Sequence, residues 1–193
     1  MSSSAEVVDW RPGRAEATIW NVVAIVLIAA GLPLFALPSI LRSGPAGASF
    51  RIGLTEILLV VALTALLLVV HEGIHGLVML AFHARPSFGV VLVGGAMPAL
   101  YATSVGHRFS RAQYLTVAAT PAVVISVVGF LLCFEPWGGY LIVPLAIHLG
   151  GCVGDGFAFW RVLRERPGTE FEDLRDGIRF HRRPPDRAYL LSS

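Results

Sequence analysis

The chain contains no lysine. All fifteen of its basic residues are arginine, set against thirteen acidic residues for a formal charge of +2, and most of the arginines lie outside the apolar runs. That placement argues against a nucleic-acid-binding face and reads instead as the positively charged flanks of membrane segments. Charge of either sign is scarce. Charged residues make up 15% of the 193 and hydrophobic ones 55%, with a mean hydropathy of +0.69. This excludes an ordinary soluble domain and fits a single membrane domain. Cysteine is scarcer still. Cys133 and Cys152 both fall inside apolar segments, where a small buried hydrophobe is the expected role, so no disulfide framework is implied and the redox compartment is not legible.

What the chain has is long apolar stretches. Four are expected to span a bilayer: about 19–41, with Pro33 and Pro38 kinking or ending its far side; about 52–82, long enough to tilt or protrude; about 114–134, interrupted by Pro121; and about 140–162. The apolar core of the first exceeds the usual length of a signal peptide, so a retained span is preferred to cleavage near Ala46-Gly47-Ala48. Residues 1–18 read as a short arm, 19–163 as the membrane domain and 164–193 as an Arg-rich tail. In that tail Thr169 and Glu172 have capping-box spacing, predicting a short helix before the Arg182-Arg183-Pro184-Pro185 break. Four spans with both termini in the cytoplasm satisfy the positive-inside rule, because the two outer loops carry only Arg42 and Arg51. The expected fold is therefore an all-α membrane protein. Between the second and third spans, residues 86–111 form either a short β-hairpin, with strands at 89–93 and 99–103 around Gly94-Gly95, or a plain amphipathic loop; Pro98 weakens the second strand.

The second span carries His71-Glu72-Gly73-Ile74-His75, an H-E-x-x-H pattern. Residues four apart share a helix face and lie about 6 Å apart along the axis, so His71 and His75 can direct imidazole nitrogens at one tetrahedral ion, with zinc the default. Glu72, rotated about 100° from His71, is placed to serve as general base towards a water rather than to bind the metal. Three adjoining ionisable residues in an apolar span are costly without a function. The bland alternative is a hydrogen-bonded polar cluster without metal.

A catalytic zinc site needs a third protein ligand. Outside the motif, the ionisable residues within the spans are Glu56, His148 and Asp155. Glu56 lies towards the opposite membrane face, whereas His75 and Asp155 both fall in the cytoplasmic half. His148 and Asp155 lie about 10 Å apart along a regular helix, too far to share one ion. Asp155 is the expected ligand. His148 is expected to support the site, by orienting substrate, holding a ligand or pairing with a carbonyl. Cys152 is read as an inert buried thiol, His83 as an interfacial residue, and the Gly150/Gly154 pair as a surface for close helix approach.

These segments, H-E-G-I-H in a membrane span, a Gly-rich middle loop and the late H-L-G-G-C-V-G-D stretch, resemble the bacterial zincin peptidases of the membrane, a group similar to the site-2 proteases. The resemblance runs from about the second span to the tail. It implies an intramembrane metalloprotease in which His71, His75 and Asp155 bind zinc and Glu72 activates water. Of the N-x-x-P-x-x-x-L-D-G segment typical of site-2 proteases only Asp155-Gly156 matches, with His148 where an Asn is expected, and no PDZ-like domain is present. The expected activity is hydrolysis of peptide bonds in membrane or membrane-associated substrates, with the bilayer as surroundings and no nucleic acid as partner. Two other classes remain open: a non-catalytic zinc-binding membrane scaffold, and a metal or proton transporter. Glu72 separates the hydrolase from the scaffold, because a scaffold needs no base there.

Overall fold

A computed structural model describes residues 6–44, 53–93 and 97–182. In chain order these form β1 (Glu6–Trp10), α1 (Arg14–Ser43), α2 (Leu54–Ala81), β2 (Ser87–Val93), β3 (Met97–Thr103), β4 (Arg108–Phe109), α3 (Arg111–Leu132), a single 3-10 turn at Gly138–Leu141, α4 (Ile142–Gly151), α5 (Val153–Leu163), β5 (Glu170–Leu174) and β6 (Gly177–Arg182). Three of the helices, and the segment Gly138–Leu163 as a fourth, are long and apolar enough to cross a membrane. Their outward side chains are branched and apolar: Val22 and Val26 on α1, Val61 and Val69 on α2, and Val123 and Val127 on α3 are all exposed. Apolar surface of this extent is rare on water-soluble monomers, and the arrangement suits a solvent as apolar as the residues themselves.

The helix starts follow local chemistry. Glu16 in the first turn of α1 turns back to accept from the Gly13 N–H at 2.8 Å. Ser110 and Gln113 form a reciprocal box at the start of α3, with the Ser110 N–H donating to Gln113 Oε1 at 2.8 Å. The fourth span is broken rather than continuous: α4 ends at Gly151, Cys152 joins it to α5, and Asp155 falls in the first turn of the new helix. A carboxylate there also meets the favourable end of the helix dipole.

The middle segment is a hairpin. Its two strands pair antiparallel from Ser87↔Thr103 to Val93↔Met97, and the ladder continues through Leu92↔Pro98; the expected Gly94-Gly95 turn lies outside the described residues. The all-α expectation needs correction, however, because a second sheet is present, antiparallel in the order β1-β6-β5-β4. The arm contains a strand, and the tail contains two strands where a helix was expected at Thr169. The reason is periodicity. Buried Ile178 and Phe180 alternate with half-buried Gly177 and Arg179 on β6, and buried Phe171 follows Glu170 on β5, before the two-residue turn Arg175-Asp176. That period of two overrides a four-residue capping pattern. The outer loop at 45–52 and the Arg183-Pro184-Pro185 break also lie outside the described residues.

Two apolar clusters frame the interior. At one pole Phe35, Ile125, Cys133, Ile142 and Leu145 pack together, and Ser39 Oγ donates to the Cys133 carbonyl at 2.9 Å. At the other, Met79, Tyr114 and Val117 from the helices meet Phe171, Ile178 and Phe180 from the sheet. The H-E-x-x-H turn of α2 lies between them.

Candidate metal centre

His71 and His75 are buried, at 8% and 7% exposure, on one face of α2. Their Nε2 atoms are 3.1 Å apart. Asp155 reaches the same point from α5: Oδ2 lies 3.0 Å from His71 Nε2 and Oδ1 3.4 Å from His75 Nε2. Asp155 lies three residues beyond the junction at Cys152, in the first turn of α5.

The hydrogen atoms can be assigned by chemistry. His75 Nδ1 lies 2.9 Å from the Val117 carbonyl, which can only accept, so Nδ1 carries the proton. A neutral His75 therefore presents a bare Nε2 lone pair to a carboxylate and a second imidazole nitrogen. Three converging acceptors repel unless a cation or a shared proton lies among them, and N,N,O donors about 3 Å apart are what a small tetrahedral ion requires. The residues fit zinc.

A second group could also hold a metal: His71, His148 and Cys152, all buried. His148 Nε2 lies 3.0 Å from His71 Nδ1, and Cys152 Sγ lies 4.0 Å from the same nitrogen. Both groups use His71, through opposite ring nitrogens. A neutral imidazole bound to a metal through Nε2 carries its proton on Nδ1 and would donate it to His148, in the way that metal-bound histidines are commonly held. On this geometry His148 and Asp155 need not be close to each other to serve one centre, because the ring of His71 stands between them. Glu56 and His83 belong to neither group.

Glu72 is half-buried and lines a cavity of about 150 Å³ together with His75, Tyr101, Tyr114, Asp155 and Asp173. Its carboxylate accepts from the Ala102 N–H on β3. The hairpin can come this close because of Gly76: a Cβ there would lie 2.5 Å from the ring of Phe88 on β2. Beyond the cavity a wider groove of about 440 Å³ runs under Trp10 and Arg175 towards the four-stranded sheet.

Three contributors were not found from sequence. The Val117 carbonyl is a backbone atom and leaves no sequence signal of its own. Tyr114 and Asp173 join from a helix start and a strand, with Tyr114 O–H donating to Asp173 Oδ1 at 3.0 Å. Burial pushes the Asp173 carboxyl up to about 7, against the opposing effect of its hydrogen bonds with Tyr114 and Thr103. Burial along β5 does not alternate, so no local pattern places Asp173.

Long apolar helices, a buried pair of histidines one turn apart, a facing carboxylate and a glutamate on a shared cavity give the class: a mostly helical protein with a candidate metal centre. The chain belongs to the family described as "putative zincin peptidase", whose model matches residues 64–170, more than half of its length. No curated protein and no solved structure matches it. Membership supports a metallopeptidase, and zinc as its metal.

Proposed function

We propose that this protein is an intramembrane zinc metalloprotease, similar to the site-2 proteases, that cuts peptide bonds of membrane or membrane-associated segments near the cytoplasmic face. The observation carrying this reading is the convergence of His71 Nε2, His75 Nε2 and the Asp155 carboxylate within 3.0–3.4 Å, beside a glutamate that is not part of that cluster. His71, His75 and Asp155 would hold the ion. Zinc bound there supplies a Lewis acid and lowers the pKa of a coordinated water.

The remaining work falls to the chain. Glu72 accepts a proton from the attacking water and returns it to the departing amine, a task suited to a carboxylate in a confined cavity. The Ala102 N–H steers that carboxylate. Because Ala102 N–H points at Glu72 and away from β2, the outer edge of β3 faces the cavity, and alternate residues such as Leu100 present their backbone groups the same way. A substrate segment must be extended to be cut, since a helical amide is already paired and shielded. An extended segment could add to this edge as a third strand, which would set its scissile bond across the cavity. Outward apolar side chains on α1, α2 and α3 support a bilayer as surroundings, and the shared sheet of β1 and β6 supports both termini lying on one side, the cytoplasmic one by charge.

The test is metal content of detergent-purified protein with a parallel assay on a membrane-peptide library. Zinc near one per chain is expected in the unaltered protein and in Glu72→Gln, with loss in His75→Ala and Asp155→Ala; cleavage should be lost in all three variants. Full zinc retention in Asp155→Ala would overturn the ligand set. Undiminished cleavage by Glu72→Gln would overturn the mechanism.

A further inference from the structure

A proline inside a helix is strongly unfavourable, because it removes the N–H that would bond to the carbonyl four residues earlier. α3 tolerates one at Pro121. Counting back four residues gives Val117, whose carbonyl accepts the Nδ1–H of His75 at 2.9 Å. The carbonyl that proline deprives of its helical partner is the one that holds a histidine of the metal centre. Both partners are buried, Val117 at 5% and His75 at 7% exposure. Pro121 is itself fully buried.

With any other residue at 121, the Val117 carbonyl would be drawn along the helix axis by an amide directly above it. Without that amide the oxygen is free to tilt off the axis towards α2. The consequence for His75 is a fixed tautomer: Nδ1 is protonated, Nε2 is bare, and the ring plane is pinned so that its lone pair faces His71 and Asp155. We propose that Pro121 is a positioning residue of the metal centre, which acts by withholding an amide so that the Val117 carbonyl orients His75. The proposal builds on His75 as a metal ligand; the orientation of the ring stands separately from what binds to it.

The readouts are the tautomer of His75 in metal-free protein and the zinc dissociation constant. Nitrogen NMR of histidine-labelled protein in detergent reports the tautomer, with the His75 resonance assigned by its disappearance in His75→Ala. In the unaltered protein His75 should be protonated on Nδ1. Pro121→Ala restores the amide and should shift His75 to a mixture of tautomers and weaken zinc about tenfold or more, the range found when a metal-bound histidine loses its outer partner. The same substitution should raise the thermal midpoint, since alanine is the better helix former, so weaker zinc binding would not reflect a damaged fold. Pro38→Ala, which repairs the interior of α1 instead, should leave both readouts unchanged. The proposal is overturned if Pro121→Ala leaves the tautomer unaltered, or if Pro38→Ala weakens zinc equally. Should the unaltered protein bind no zinc, the ligand assignment falls, and the tautomer comparison still decides the role of Pro121.

Discussion

At the scale of single residues, the centre combines groups that announce themselves in sequence with groups that cannot. His71, Glu72 and His75 are visible because chemistry at one ion demands fixed spacing on a helix. Asp155 is visible because few charges occur in the spans. The contact of His148 with His71 joins positions 77 apart, and no local pattern encodes it. If His148 accepts from metal-bound His71, then His148→Ala should keep zinc near one per chain while weakening affinity about tenfold, checked by competition with a chelator of known affinity. A second cluster using Cys152 predicts otherwise, because Cys152→Ser would then remove metal as well.

Asp173 gives a test by pH. Its carboxyl is raised to about 7 by burial, beside the Tyr114 hydroxyl and with His75 and Asp155 near enough to act on its charge. A raised carboxyl favours folding below its unfolded value near 3.8, and that contribution is lost as pH rises through about 7. Asp173→Asn should therefore be more stable than the unaltered protein above pH 7, by on the order of 1–2 kcal/mol after discounting for partial exposure, and no more stable near pH 4. Thermal unfolding of the metal-free protein across that range would decide it.

At the scale of elements, helix lengths and order follow from hydropathy, whereas breaks and contacts follow from shape. The last span reads as one continuous apolar run. It is interrupted at the single residue Cys152, among glycines that offer little helical preference, while i→i−4 hydrogen bonds from Cys152 and Gly156 continue on either side. The glycine pair in this span was expected to meet a neighbour, and the two positions prove unequal. A Cβ on Gly150 would lie 2.5 Å from Ile28 Cγ1 and 2.9 Å from the Ala24 carbonyl oxygen of α1, whereas one on Gly154 would meet only the ring of Trp20 at 3.8 Å. Gly150→Ala should cost about 1–3 kcal/mol by overpacking against backbone. Gly154→Ala should be neutral or slightly stabilising, as alanine favours helix. Paired melting curves in detergent test the contrast, and equal effects would mean that the α1–α4 contact is not tight at Gly150.

At the scale of the whole molecule, the strands missed in the arm and the tail prove to be the feature that closes the fold. β1 pairs with β6 from Glu6↔Arg182 to Trp10↔Ile178, and Arg179 grips Asp9 with two bonds of 2.7 and 3.0 Å. A short polar arm has no partner in its own neighbourhood, so its pairing with a strand some 170 positions away could not be read locally. The sheet, the hairpin and the groove share one pole; Ser39 and Cys133 mark the opposite one. In inverted membrane vesicles, an impermeant thiol reagent should label Asp176→Cys and spare Ser43→Cys, in a background where Cys133 and Cys152 are replaced by serine. The reverse pattern would turn the protein over in the membrane.

The order in which a ribosome delivers this chain adds a further consequence. The residues proposed to bind metal are all present once α5 has been made, yet one wall of the cavity is Asp173 and Leu174 on β5, and that strand is held in place by β6, which must then find β1. A nascent chain with all its helices inserted still lacks that wall. That wall forms only once β5 has been made and has paired with β4 on one side and β6 on the other, so a copy cut short before Glu170 lacks part of the cavity.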